Sequence, residues 1–279
     1  MRPLNLAPTS SAFAVLALAL GLTLTACAAT PEPPVATGLT VVSFNIRNGG
    51  RRLDGVYDRP MQQRVLAALK PDLVAMQEVD RKSKRVAGAD VPAEFAAALG
   101  KDWSFAYAAA MPYDGGEYGT ATFSRFPVVR SETAPMPVPG GEPRAASVLT
   151  TKIPSGGEVT LVSVHLDSGR KDDARLANAR ALLARIEKIT TPLIVAGDFN
   201  DGPDSATLAL FVKAGFRRCV PKGDARSHPA DKPAIIIDHV LLRDGAETRL
   251  EDAGTEVVNE PRASDHRPML AHLRLTPKR

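Results

Sequence analysis

Acids, amides and imidazoles recur at the ends of apolar runs along this chain, and they do so six times. The clusters are Ser43-Phe44-Asn45-Ile46-Arg47, Gln77-Glu78-Val79, His165-Leu166-Asp167, Gly197-Asp198-Phe199-Asn200, Ile237-Asp238-His239-Val240 and Ser264-Asp265-His266-Arg267-Pro268. Each follows or interrupts a strand-like stretch, such as 39–42, 73–76, 160–164, 193–196 and 235–237. Carboxylate and amide oxygens suit hard divalent cations, and imidazoles carry protons near neutral pH. Groups of both kinds, delivered repeatedly from strand ends, point to one site for a hard metal ion with general acid/base chemistry.

Each cluster also has a structural explanation. Asp198 and Asn200 face the same way if the chain stays extended, and a carboxylate beside an amide suits a water that must be deprotonated and held; an Asx turn would use the same residues. Glu78 closes a buried run, where a carboxylate is costly unless it reaches solvent or a cation. Asn45 can offer an amide oxygen to a metal or cap a turn. Asp238 and Asp265-His266 read as parts of one unit, because an imidazole held by a carboxylate is oriented and made a better proton carrier. His165 competes with a satisfied core histidine. His239, next to Asp238, would point to the opposite strand face.

The elements that must position these groups alternate. Helical patterns cover 59–70, with Asp58 as N-cap and Val65, Leu66 and Leu69 on one face, then 92–99, stopped by Gly100. They resume over 171–189, where Leu176, Ala179, Leu183 and Ile186 form a stripe, and over 204–214. Between them, 120–124, 145–153 and 158–166 read as consecutive strands separated by Gly, Pro and Ser turns, and 267–275 as a last strand. A hairpin-rich middle does not fit a doubly wound parallel sheet, so mixed sheets packed on each other with helices outside are expected. Neither common Gly-rich phosphate loop occurs, which argues against nucleotide-cofactor folds, and no Gly-x-Ser-x-Gly elbow occurs. The histidines are too scattered for the usual zinc pairs.

The start of the chain reads as a targeting segment. Arg2 precedes an apolar run over 12–24, too short to span a bilayer comfortably, which ends Leu24-Thr25-Ala26-Cys27. This resembles a bacterial lipobox, implying cleavage before Cys27, lipidation of its sulfur and, with Ala28 following, a place at the outer membrane of a two-membrane cell. Residues 27–38, with Pro31, Pro33 and Pro34, form the lipidated cysteine and an extended tether; 39–279 form one domain. Cys219 is then the remaining cysteine, so no internal disulfide is expected. Loss of residues 1–26 lowers the formal net charge from +4 to +3, a bias that suits a phosphate-bearing substrate and is small for a nucleic-acid binder.

Taken in order from Ser43 to Pro268, the clusters resemble the endonuclease/exonuclease/phosphatase superfamily of metal-dependent phosphoesterases, with Gly197-Asp198-Phe199-Asn200 and Ser264-Asp265-His266 as the most specific matches. The resemblance implies an α/β (α+β) four-layer α/β/β/α sandwich of two packed mixed sheets. It implies a Mg2+ or Mn2+ site at Asn45 and Glu78 with Asp265 close by. Asp198 would activate or align water, Asn200 orient water and phosphate, and His266, fixed by Asp238, contact the phosphate. His165 matches the second histidine of the deoxyribonuclease, sphingomyelinase and inositol-phosphatase branches. Tyr118 or Glu117 is expected to act at the phosphate or to hold His165, and Arg144 to bind substrate phosphate. Two positions depart from the pattern: Arg47 stands where many nucleolytic members carry an acid, and Thr120 where many carry Asn. The expected protein is a monomeric, lipid-anchored phosphodiesterase of the cell envelope acting on a lipid head group or small phosphodiester. The alternatives are an extracellular or periplasmic nuclease and a non-catalytic binding module on the same fold.

Overall fold

The computed structural model describes residues 36–138, 141–154 and 157–278; the leader, Cys27 and most of the tether lie outside the described residues. The chain runs β1 (Thr37–Asn45), α1 (Arg47–Gly50), α2 (Arg59–Ala68), β2 (Leu73–Arg81), α3 (Val91–Leu99), β3 (Ser104–Tyr113), β4 (Gly116–Ser124), β5 (Val128–Met136), β6 (Arg144–Lys152) and β7 (Glu158–His165). It continues through α4 (Asp172–Ile186), β8 (Leu193–Asp198), α5 (Ala206–Lys213), β9 (Arg217–Arg218), β10 (Pro221–Lys222), β11 (Asp238–Arg243), β12 (Thr248–Val257) and β13 (Met269–Pro277). The strands form a seven-stranded sheet, β10-β12-β13-β1-β2-β4-β3, and a six-stranded sheet, β5-β6-β7-β8-β11-β9. Both are mixed: β1–β2 and β7–β8 are parallel, while β1–β13 and β8–β11 are antiparallel.

Side-chain alternation builds the layers. In β1, Leu39 and Val41 face the other sheet and, with Leu73 and Ala75 of neighbouring β2, form a core with Leu161, Ile194, Ala196, Val240 and Leu242 of that sheet. Val42 and Phe44 face outward onto a core shared with Leu66 of α2 and Phe95 of α3. In the second sheet Val162, Val164, Leu193 and Val195 face outward against Ala179 and Leu182 of α4 and Phe211 of α5. Three apolar layers therefore separate helix, sheet, sheet and helix, which is the four-layer sandwich. Part of the space between the sheets is polar: Thr122 Oγ1 bonds Ser147 Oγ at 2.9 Å, Ser124 Oγ bonds Thr151 Oγ1 at 2.9 Å, and Gln77 Nε2 donates to Ser163 Oγ at 3.0 Å. Every such hydroxyl lies on the inward face of its strand and finds a partner there, as buried polar groups must.

Several expectations needed correction. The helix expected over 171–189 ends at Ile186, and its buried face is Arg175, Asn178, Ala179, Leu182 and Ile186, not the stripe through Leu176 and Leu183. Two polar residues sit on that face because each has backbone work: Asn178 accepts from Asp167 N and donates to Met136 O, and Arg175 donates to Asp167 O. Strands β3, β5 and β12 were not expected. β3 and β5 are the outer strands of their sheets, and β5 is mostly exposed, so neither needs an alternating apolar pattern. β12, beside the two-residue β10, has few buried residues and no regular alternation either. Asp58 caps α2 as expected, accepting from Met61 N.

Candidate active site

The inward faces end in chemistry. The register that buries Leu39 and Val41 carries Ser43 and then Asn45 to the rim of β1. The register of Val159 and Leu161 carries His165, that of Ile194 and Ala196 carries Asp198, and β11 begins with Asp238 before Val240 and Leu242. Pairing then sets neighbours: His165 lies opposite Asp198 across β7–β8, and Asp238 lies opposite Asp198 across β8–β11. His239 points the other way, packs on Phe199 and donates from Nε2 to Asp201 O at 2.9 Å.

Glu78 reaches this rim by a different route. The β2–β4 pairing shifts between Met76 and Val79, and Glu78 there has a φ of 56°. The bulge puts Val79 on the helix side, with Val74 and Met76, and turns the Glu78 carboxylate into the site. Arg47, Asn48 and Asn200 are also left-handed, with φ of 53°, 50° and 51°. Such conformations cost about 1–3 kcal/mol each outside glycine and cluster at functional sites. Gly197 has a φ of 153°, and a Cβ there would lie 2.0 Å from Val164 O, so only glycine lets β8 lie this close to β7 ahead of Asp198.

Asp198 Oδ2 is the point of convergence. Asn45 Nδ2 donates to it at 3.1 Å, His165 Nε2 lies 3.6 Å away and His266 Nε2 3.7 Å away. Asp198 Oδ1 accepts from Asn200 N at 2.8 Å, and Asn200 Nδ2 donates to Leu166 O. Asn45 Nδ2 also donates to Glu78 Oε1 at 3.1 Å, and Asn48 N to Glu78 Oε2 at 2.8 Å. His266 Nδ1 lies 2.9 Å from Asp238 Oδ2. Ser264 Oγ donates to Asn45 O and accepts from His266 N, tying the loop before β13 to the end of β1.

The electrostatics are those of a buried charge cluster. Burial pushes the Asp198 carboxyl well above the usual carboxylate range, with Asp238 and Glu78 adding to the rise and His266 opposing it. Burial alone would lower His266, but Asp238 and Asp198 outweigh it and raise the imidazolium to about 10. His165 is held well below its ordinary value by burial, with Arg144 and His266 acting in the same direction.

Other expected residues fall as follows. Asp265 is bound to Arg47, whose Nε lies 3.1 Å from its Oδ2, while Arg47 NH1 donates to Arg52 O and Leu53 O. A fixed cation of the chain thus already neutralises Asp265. Tyr118 is buried, and burial, then Glu78, pushes its hydroxyl well above the ordinary value, so it stays protonated. Glu117 is exposed and does not hold His165; Arg144 NH1 occupies the place beside His165 Nδ1, at 3.0 Å. Arg144 is buried at the start of β6. Thr120 is structural, donating to Ala145 O between the sheets. Sequence reasoning missed the segment before β11. There Ser227 Oγ accepts from Ile237 N and Asp238 N, and the His228 ring lies 4.7 Å from that of His266. The available signal was a Ser-His pair ahead of Pro229, close in sequence to Asp238.

Asp198, Asp238 and His266 place one ligand atom each within 4.8 Å of one another, an arrangement consistent with a divalent metal. Asp238 and His266 are already bonded to each other, whereas Glu78 and Asp198 offer the carboxylate oxygens that a hard cation prefers; Asn45 presents Nδ2 to both, and its Oδ1 accepts from Arg47 N at 3.0 Å. The carboxylates of the site therefore fit a hard divalent cation.

Residues 42–266 match the Endonuclease/Exonuclease/phosphatase family. The chain belongs to that family. Its members are metal-dependent phosphoesterases, and the matched stretch contains every residue of the cluster described above. The protein YbhP of Escherichia coli (strain K12) is 24% identical over 256 residues, 88% of this chain and 100% of that protein. Among solved structures, an endonuclease/exonuclease/phosphatase from Beutenbergia cavernae DSM 12333 has a TM-score of 0.70 at 22% identity, covering 86% of this chain and 72% of that one. TDP2 from D. rerio, solved with a single-strand DNA product, has a TM-score of 0.67 at 18% identity, covering 85% of this chain and 99% of that one. These structural likenesses concern the fold.

Proposed function

We propose that this family member is a divalent-metal-dependent hydrolase of phosphoester bonds, of phosphodiesterase type, anchored in the cell envelope through Cys27. The observation that carries the hydrolytic reading is the convergence of Asn45, His165 and His266 on Asp198 Oδ2, with Glu78 bonded to the same Asn45 amide. Held by Glu78, with Asp198 beside it and the Asn45 amide turned to offer its oxygen, magnesium or manganese would neutralise charge on the phosphoryl oxygens. Asp198, its pKa raised, takes a proton from water, and Asn200, fixed by its bonds to Asp198 and Leu166, orients that water. The water oxygen forms a bond to phosphorus as the bond to the leaving oxygen breaks. His266, charged and held by Asp238, gives the leaving oxygen its proton. His165 donates from Nε2 to a phosphoryl oxygen.

A small or lipid-head-group phosphodiester is the favoured substrate, because a lipid anchor would hold the enzyme at a membrane surface and the basic bias of the chain is small. DNA is the second reading, supported by the fold shared with TDP2. Purified protein with magnesium, assayed on plasmid DNA and on a phosphodiester-head-group lipid, separates them. Release of the head group, abolished in Asp198→Ala, is expected. Prompt plasmid nicking that disappears in the same variant would overturn the lipid preference.

A further inference from the structure

The two imidazoles beside Asp198 are held by opposite kinds of partner. His266 Nδ1 faces the Asp238 carboxylate at 2.9 Å, whereas His165 Nδ1 faces the Arg144 guanidinium at 3.0 Å. Arg144 and His165 are each 5% exposed, so no water competes freely for that contact. A guanidinium has donors and no acceptor. His165 Nδ1 must therefore be the accepting, unprotonated nitrogen, and the ring proton sits on Nε2, the atom that faces Asp198 Oδ2 at 3.6 Å.

We propose that Arg144 is a positioning residue that fixes His165 as the neutral Nε2–H tautomer, so that a donor rather than a lone pair meets the substrate's phosphoryl oxygen. The phosphoryl part of this statement rests on the function proposed above; the tautomer part rests on the contact alone. Glu142 Oε1 lies 3.3 Å from the same Arg144 NH1 and helps to hold the guanidinium in place. Arg144 Nε is buried without a partner, so the guanidinium keeps its place against the ring at the expense of a donor left unpaired. The two histidines then divide the work. A carboxylate at Nδ1 lets His266 carry a second proton and give it up, while a guanidinium at Nδ1 restricts His165 to one proton, always presented from the same atom.

The test is a long-range proton–nitrogen correlation spectrum of the full chain labelled with nitrogen-15 histidine, at pH 7.5. His165→Gln assigns the signal. Wild type is expected to show His165 with a protonated Nε2 and an unprotonated Nδ1. Arg144→Met should give a mixed or inverted tautomer, and Arg144→Lys, which keeps a donor, should retain the wild-type pattern. On any phosphodiester the protein turns over, Arg144→Met should lower kcat by on the order of 10²-fold, with KM within about threefold, and Arg144→Lys should recover part of the loss. A protonated Nδ1 in wild type, or an unchanged tautomer in Arg144→Met, overturns the proposal; the wild-type spectrum decides even if Arg144→Met does not fold. A raised KM with unchanged kcat would make Arg144 a substrate-binding group and also overturn it. The expected tautomers without hydrolysis of any phosphoester would sink the proposed function and leave the positioning role standing.

Discussion

Asp238 and His266 set the charge state on which the proposed hydrolysis depends. The imidazolium is raised from an ordinary value of 6.5 to about 10, because Asp238 and Asp198 outweigh the cost of burying it. Its charge persists through neutral pH and is lost as pH rises through the folded-state value, and the stability it contributes is present below about 6.5 and lost over the same rise. Asp238→Asn removes the larger of the two supports. Burial then pulls the imidazolium down, and the alkaline limb of the kcat/KM profile should move toward neutral pH, with kcat lower by on the order of 10²-fold. A pH–rate profile of the variant checks this; an unmoved limb would take proton donation away from His266. Arg47 makes the complementary point. Its side chain bonds Asp265 and two carbonyl oxygens, so the position where many nucleolytic relatives carry an acid holds a fixed cation instead.

Strand alternation explains why so much of the site was legible before the fold was known. Asn45, His165, Asp198 and Asp238 are each the terminal member of an inward-facing set, so a period of two both buries Leu39 or Ile194 and delivers a polar group to the rim. Glu78 breaks that period, and the sequence shows no sign of the bulge that turns it inward. The partner of His165 was equally hidden, because Arg144 and His165 meet only through the pairing of β6 with β7. Strands β3 and β5 escaped notice for want of a pattern, as outer strands do. The same close packing makes a prediction at this scale. Gly197→Ala would force a Cβ to 2.0 Å from Val164 O, and chemical denaturation should show a loss of about 3 kcal/mol or more. A loss below about 1 kcal/mol would mean that β7 and β8 can separate without cost.

At the scale of the whole molecule, two sheets and their outer helices hold the metal-type donors and the proton carriers against one aspartate. Among the described residues no helix is long and apolar enough to cross a membrane, so the proposed attachment depends on residues ahead of β1. Cys27→Ser should move the protein from the membrane fraction to the soluble fraction of a bacterial lysate without changing its specific activity on a soluble diester; an unchanged distribution would refute lipidation at that sulfur. The central claim is that this cluster hydrolyses phosphoesters with a divalent metal and Asp198. Its most direct test is the rate of hydrolysis of bis(p-nitrophenyl) phosphate by chelator-stripped protein as magnesium or manganese is added back, for wild type and Asp198→Ala. Wild type should be inactive when stripped and recover saturably with the ion, and Asp198→Ala should stay at least about 10³-fold slower at every concentration. Turnover that survives chelation, or that Asp198→Ala retains, would contradict the account.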